Sequence, residues 1–367
     1  MRRFLPLLIV LLAFTAIGCP PAPPPERTAK DKTEDKKDPV VVPDDLKTRV
    51  EAAIQQVQDR DLLTSNAFWT VFHGILGIGP EKTMLTDAMT KKKVNAVDYI
   101  CNGGAIRGMQ FLPTNDGLDV QTGPQFVGQG HQDQFIAEMA EWGMPADRKF
   151  KVGGRDYTFA DFTRHSKMRA SVKREQELSW AIIIIGQYYG TKARWTNSFG
   201  EDLDYDDVVR YETNASVNQA ACGGTHRLYG LTWAYHLHLK NGGKAEGVWQ
   251  DVASKIAQYK ELARDLQGPD GACSTDYFKG KGRNPDLGQR ISTTGHTVEW
   301  LALAMTDAEL REPWMQNAVS ALAVMILDAR DTEVEGGALY HAAHGLYTYH
   351  ARVYGQPPAY LPLLPKK

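Results

Sequence analysis

The chain has 367 residues, of which 43% are hydrophobic, and a formal net charge of -2 at pH 7. That apolar fraction suffices for the core of one large domain or of two small ones. The sequence has no basic cluster, so nucleic acid and anionic lipid headgroups are not expected partners.

The amino terminus has the pattern of an export signal. Two arginines precede an apolar run from Phe4 to Gly18, which is shorter than the roughly 20 residues of a membrane-spanning helix. The segment Ala16-Ile17-Gly18-Cys19 resembles a bacterial lipobox, although leucine is commoner where Ala16 stands. This resemblance implies a signal peptide over residues 1–18 and a diacylated Cys19, and hence a cell-envelope protein held to a membrane by its acyl anchor. An uncleaved anchor and a soluble secreted protein are the alternatives, and both also predict export.

Residues 19–44 are rich in proline and charge and too poor in apolar side chains to pack, which predicts a disordered tether. A folded domain is expected over residues 45–357, with a short tail over 358–367. Within the domain, Cys101, Cys222 and Cys273 could form one disulfide in an exported chain, and the sequence leaves the pair open.

Several segments have the spacing of one-sided helices, with apolar residues recurring every three or four positions. They are Leu46 to Val57, Trp249 to Leu266, and Met315 to Ile326 behind Pro313. Thr158 and Asp161 predict a capping box at the start of another helix.

Other segments are apolar on nearly all sides, which predicts helices buried all round. These are residues 180–185, 228–239 and 298–305. The four isoleucines at 182–185 could also form a buried strand, but the length of the surrounding segment favours a helix, and no ladder of alternating short strands is evident. One-sided helices alternating with buried ones predict an all-α fold, a single α/α toroid of about six helical hairpins in two concentric rings.

A loose repeat supports the toroid, because a histidine stands near the expected start of five buried segments. The five are His73, His131, His226, His296 and His344, and Glu177 begins a sixth unit without a histidine. Glycines before these positions predict tight loops between outer and inner helices. If the inner helices run in the same direction, the histidines meet at one mouth of the ring.

Two glycine-containing turns resemble a repeat of the squalene cyclases and protein prenyltransferases, a terpenoid cyclase-like family. They are Gln267-Gly268-Pro269-Asp270-Gly271-Ala272-Cys273 and the weaker Glu335-Gly336-Gly337-Ala338-Leu339-Tyr340-His341. The resemblance implies the toroid from about residue 45 to 355.

The same family implies a possible zinc site. Its zinc ligands resemble Asp270, Cys273 and His341 in order and spacing, with one extra residue between the first two. The alternative is a turn aspartate, a bridging cysteine and a packed histidine. The acidic segment 204–207 resembles the proton donor of squalene cyclases, or is a coincidental acidic loop.

The histidines suggest catalysis at the predicted mouth. A lyase needs a base and a cation to stabilise the developing enolate. The candidate catalytic residues are His131, His226, His296, His344, Tyr340 and Arg227. A glycoside hydrolase needs two carboxylates, for which Asp133 and Glu299 are the nearest candidates. The histidines could instead tie hairpins together through loop carbonyls, or several could hold a metal.

The sequence therefore predicts a toroid that binds a small-molecule or saccharide ligand in a cavity lined by histidine and tyrosine. A polysaccharide lyase or hydrolase is the first alternative, and a cyclase or transferase is less expected. A protein-interaction scaffold is the other alternative. The glycine-rich stretch from Asn102 to Gly130 is predicted to be a long loop, and a loop of that length could act as a lid.

Overall fold

The computed structural model describes residues 45–358 and 361–363. The predicted signal peptide, the lipidation of Cys19 and the tether over residues 19–44 lie outside these described residues. Among the described helices, none has both the length and the apolar character needed to cross a membrane.

The described chain is mostly helical, in keeping with an all-α class. Its helices are α1 Leu46–Gln58, α2 Phe68–Ile78, α3 Ala96–Cys101, α4 Gln134–Glu141, α5 Phe159–Arg169, α6 Ser179–Tyr189, α7 Tyr205–Asn214, α8 Thr225–Lys240, α9 Val248–Leu266, α10 Leu287–Ala304, α11 Pro313–Asp328 and α12 Gly336–Val353. The helices predicted from apolar spacing are therefore confirmed, including α6, where the four isoleucines are fully buried.

Four small sheets accompany the helices, and they are compatible with the predicted all-α class. Their strands are β1 Leu62–Leu63, β2 Met84–Thr86, β3 Lys93–Asn95, β4 Phe111–Thr114, β5 Gly117–Val120, β6 Lys149–Val152, β7 Arg155–Thr158, β8 Arg194–Thr196 and β9 Asp202–Asp204. Strands β1, β2 and β3 form one sheet, and the others pair as antiparallel hairpins. Strands of two to four residues are too short to show a regular alternation. The hairpin β4–β5 occupies part of the predicted long loop.

Three antiparallel strand pairs, β2–β3, β6–β7 and β8–β9, lead directly into a helix whose first turn is capped by the last residue of the second strand. Asn95 accepts from the Asp98 amide at the start of α3. The amide of Thr158 donates to the Asp161 carboxylate at 2.7 Å, which confirms the predicted capping box on α5. Asp204 and Asp207 form a second capping box on α7, so the acidic segment is a helix N-terminus.

The even-numbered helices form the interior. Every residue of α4 is buried, and in α2, α6, α8, α10 and α12 the buried residues lie on most sides. Each even-numbered helix contacts the next one along the chain, and α12 contacts α2. The odd-numbered helices α1, α5, α7, α9 and α11 each contact at least one of them.

Helices α10 and α12 pack with their backbones in close contact. A Cβ atom added to Gly295 would lie 2.7 Å from the Cβ of Ala342, and one added to Gly345 would lie 2.8 Å from the backbone nitrogen of Glu299. Side chains other than hydrogen at these two positions would therefore push the helices apart. Gly295 was expected in a loop; it lies inside α10, where it permits this contact.

The predicted position of the histidines is corrected in the same way. His73, His296 and His344 lie inside α2, α10 and α12 and not at their starts. His226 is in the first turn of α8, and His131 precedes α4. The prediction that helix amino termini form a shared mouth lined by histidines is therefore wrong. The histidine rings in the middle of helices meet inside the molecule instead.

Part of the predicted tail packs on the helical domain. Leu361 is buried, and the carbonyl oxygen of Pro362 accepts a hydrogen bond of 2.8 Å from Nδ1 of His236.

Candidate metal centre

Four imidazole rings meet in the interior between α2, α8, α10 and α12. The ring centroids of His296 and His341 are 4.2 Å apart, and that of His226 lies 5.5 and 5.6 Å from them. The ring of His73 lies 5.0 Å from that of His341 on the other side. All four side chains are at most 4% exposed.

Hydrogen bonds fix the orientation of the rings on α10 and α12. Nδ1 of His296 donates to the backbone oxygen of Ser292 at 2.7 Å, and Nδ1 of His341 donates to Glu299 at 2.8 Å. Because neither acceptor carries a proton, Nδ1 must carry it, and in the neutral ring Nε2 keeps its lone pair. In metal sites, a hydrogen bond from the other ring nitrogen to a protein acceptor orients a histidine ligand in the same way.

His226 has a different environment. It is 3% exposed, and neither of its ring nitrogens has a hydrogen-bond partner among the described residues. Burial lowers its pKa well below the usual value, and the neighbouring His131 and His296 lower it further, so the ring is neutral. Buried polar atoms are nearly always paired, so two ring nitrogens without a partner among the described residues are open to a further partner, such as a water molecule or a metal ion.

Three of the rings can share one ion. The ligand atoms of His226, His296 and His341 lie within 4.8 Å of one another. Burial lowers the pKa of His296 to about 3, so that this ring is also neutral and available as a ligand near pH 7. Imidazole nitrogens suit zinc, copper, nickel and iron.

A second group, His73, Glu138 and His341, has similar spacing. In this group Nδ1 of His73 donates to the Trp69 carbonyl oxygen at 2.7 Å, and its Nε2 accepts from the Gln134 amide at 3.1 Å. Both nitrogens of His73 therefore have partners within the protein, which favours the first group.

Three buried carboxyl groups surround the rings. Burial alone would raise the pKa of Glu299, but His341 and His344 hold it well below its usual range. Nδ1 of His344 donates to the second oxygen of Glu299 at 2.7 Å. Burial raises the pKa of Glu138 and Glu141, which lie on α4, well above the usual value. Both of these carboxyl groups are therefore neutral near pH 7.

A small internal cavity of about 10 Å³ lies among these groups. A volume of that size holds about one water-sized particle and not a sugar ring. Every residue that lines it is buried, and together they come from five of the six even-numbered helices: Glu141, Trp180, Thr225, His226, Tyr229, His296, Glu299 and His341.

Four of the six predicted catalytic residues do not line this cavity: His131, His344, Tyr340 and Arg227. The backbone of Tyr340 lies against Gly77 of α2, and burial raises the pKa of its phenol to about 12, which opposes a role as phenolate base. Arg227 donates from Nε to the buried carboxylate of Glu212 at 2.9 Å. Of the two carboxylates predicted for a hydrolase, only Glu299 lines the cavity. Asp133 instead forms an ion pair with Arg169.

The zinc ligands implied by the family resemblance do not meet as a set. Asp270 accepts a hydrogen bond of 2.6 Å from Arg290. Burial raises the pKa of the Cys273 thiol to about 12, which disfavours the thiolate that zinc requires. Among the groups of possible ligands found in residues 45–358 and 361–363, His341 belongs with other histidines and not with Asp270 and Cys273.

Sequence reasoning missed the carboxyl groups of α4 and the pairing on α12. Glu138 and Glu141 stand three positions apart in a helix whose other residues are mostly apolar. His341 and His344 are likewise three apart, and residues with that spacing share a face of a helix. Both spacings were detectable signals.

Comparisons with protein-family models, with curated proteins and with solved structures found no match to this chain. The assignment of a function therefore depends on the geometry of the site.

Proposed function

We propose that the protein binds one divalent first-row transition metal ion, for which zinc is the first candidate, through His226, His296 and His341. The observation that carries this proposal is the meeting of three buried imidazoles, one of which has no hydrogen-bond partner for either nitrogen among the described residues. Three histidines and an open position are a ligand set found for zinc.

The surrounding charges support a cation at this place. Glu299 is ionised and fixes the His341 ring, which makes that ring a better ligand. Glu141 lines the same cavity, and a bound cation would favour ionisation of its carboxyl group. The interior can thus compensate the charge of a divalent ion without opening to solvent.

We also propose the finer description of the fold, a single α/α toroid. It is supported by the closed sequence of contacts among the even-numbered helices, with the odd-numbered helices packed against them. The metal ion would lie on the inner side of that ring. The export signal and the acyl anchor at Cys19 remain proposals that depend on the lipobox resemblance, and they would bring the metal centre to the cell envelope.

The size of the cavity supports this function over the alternatives. A saccharide does not fit a volume that holds about one water molecule, so the geometry gives no support to a polysaccharide lyase or hydrolase. Nothing among the described residues favours a protein-interaction scaffold.

The proposal is tested by metal content. The full-length protein is stripped with a chelator, dialysed against zinc and analysed for bound metal. We expect one tightly bound ion per chain in the wild type and none when His226, His296 and His341 are all replaced by alanine. A matched triple variant, with His165, His238 and His350 replaced instead, removes the same number of imidazoles outside the centre and should bind like the wild type.

Circular dichroism reports whether the triple variants fold. If the first of them does not fold, His296→Gln is the second variant, because it keeps most of the side-chain volume, and we expect it to weaken binding at least about tenfold. Equal metal content in the wild type and the first triple variant would exclude the proposed centre.

A further inference from the structure

A third group of possible ligands lies where the buried cluster approaches the surface. The side chains of His131 and Glu177 are 21% and 23% exposed, and Cys222 is partly exposed. His131 comes just before α4, and Cys222 stands three positions before the first residue of α8. We call His131, Cys222 and His226 the rim group.

The geometry of the rim group is that of a metal site. Its three ligand atoms lie within 4.8 Å of one another. Nδ1 of His131 donates to Glu177 at 3.0 Å, so Nε2 of the neutral ring is left as a ligand atom. The carboxylate of Glu177 fixes the ring of His131 as Glu299 fixes that of His341.

His226 belongs both to the rim group and to the buried triad. Its Nδ1 lies 4.0 Å from the Glu177 carboxylate, on the side of His131, whose ring centroid is 5.1 Å away. Neither nitrogen has a hydrogen-bond partner among the described residues, although the side chain is nine-tenths buried or more. A ring in this position can hold an ion on either side.

We propose that the rim group is a second metal site, through which the ion enters the buried triad by way of His226. This inference rests on the proposed function. The partly exposed residues bind the ion first, and the buried residues hold it at the end. A thiolate with two imidazoles suits borderline and soft ions such as zinc, cobalt(II) and copper(I). Cys222 loses its proton to solvent when it binds the ion, since a thiol must be deprotonated to act as a ligand.

Cobalt(II) makes the two sites distinguishable, because a thiolate bound to cobalt gives a charge-transfer band in the near ultraviolet and imidazole does not. The chelator-stripped full-length protein is mixed with cobalt, and absorbance and metal content are followed. In the wild type we expect a thiolate band that appears on mixing and then decays as the ion reaches the triad.

Two variants separate the steps. Cys222→Ser should lose the transient band and take up cobalt several-fold more slowly. His296→Gln should hold the ion at the rim, so that its thiolate band persists. Cys101→Ser is the matched control, because it removes a thiol that is buried beside Arg148, and it should behave like the wild type.

The outcomes also separate this inference from the proposed function. Cobalt uptake without a thiolate band at any time, together with wild-type uptake by Cys222→Ser, would overturn the entry site and leave the buried centre intact. A thiolate band that persists in the fully loaded wild type would show that the ion stays at the rim, and it would overturn both the buried centre and the transfer of the ion to it.

Discussion

Glu299 orients one of the proposed metal ligands, His341. One of its oxygens accepts from His341 and the other from His344, and both rings lie on α12. The carboxylate is ionised, so it accepts from both rings at once. In the proposed centre it is a positioning residue, because it would act on the metal through His341.

Replacing Glu299 by glutamine tests this role. The amide of Glu299→Gln has one oxygen and one NH₂ group, so it can accept from only one of the two histidines and faces the other with a donor. We expect zinc affinity to fall about 10-fold to 100-fold, measured by competition with a chelator of known affinity. Glu309→Gln, which changes a partly exposed carboxylate paired with Lys260, is the control and should keep wild-type affinity. Equal affinities for the two variants would show that Glu299 does not orient a ligand.

At the scale of the element, the close contact of α10 with α12 brings His296 and Glu299 beside His341 and His344. The contact depends on Gly295 and Gly345, where any larger side chain would meet backbone atoms of the opposite helix. The sequence predicted both helices from their apolar content. The sequence did not reveal that these glycines belong to a helix–helix contact. In a single sequence, a glycine that ends a helix cannot be distinguished from one that lets another helix approach closely.

Gly345→Ala should disturb both stability and the metal centre. Its Cβ would lie 2.8 and 3.0 Å from the backbone nitrogen and Cα of Glu299, neither of which can rotate away. We expect a loss of about 1–3 kcal/mol in the free energy of unfolding, together with weaker zinc binding, measured by denaturant titration and metal competition.

Gly288→Ala is the matched control on α10. There the nearest atom to an added Cβ, Oδ1 of Asp286, is 3.4 Å away, so we expect little change in either quantity. If Gly345→Ala is as stable as Gly288→Ala and binds zinc as tightly, the close packing of α10 on α12 does not set the geometry of the site.

At the scale of the whole molecule, an unusual number of titratable groups lie in the interior. Burial lowers the pKa of His73, His226, His236 and His296, so these rings are neutral in the folded protein near pH 7. The unfolded chain binds protons at these residues from about pH 6.5 downward. The folded protein without metal should therefore lose stability as the pH falls below that value.

His236 gives the sharpest test, because it lies outside the proposed metal centre. Its pKa is lowered to about 3, so its contribution to stability is intact above about pH 6.5 and is lost as the pH falls from there towards 3. We expect this residue alone to account for about 2 kcal/mol of the stability lost between pH 7 and pH 5.

The measurement compares the free energy of unfolding at the two pH values in chelator-treated protein. His236→Gln should lose about 2 kcal/mol less than the wild type over this interval. Leu361→Ala disturbs the packing of the chain end that contacts His236, without removing a titratable group. Its free energy of unfolding should therefore be lower than that of the wild type by a similar amount at both pH values. An unchanged pH dependence in His236→Gln would contradict the neutral, buried state of this ring.

By itself the sequence determined the helices, their buried or one-sided character and the capping of α5, because each depends on residues a few positions apart. It also identified most of the histidines that meet in the interior. Only the tertiary structure decided which side chains share a site, because Glu299 and His341 are 42 positions apart and meet through the packing of α10 on α12. The tertiary structure likewise does not bring Asp270, Cys273 and His341 together as a ligand group, although the family resemblance implied them as zinc ligands. Periodicity fixes which face of a helix is apolar, but the angle and distance at which two helices pack fix which nitrogen faces which neighbour.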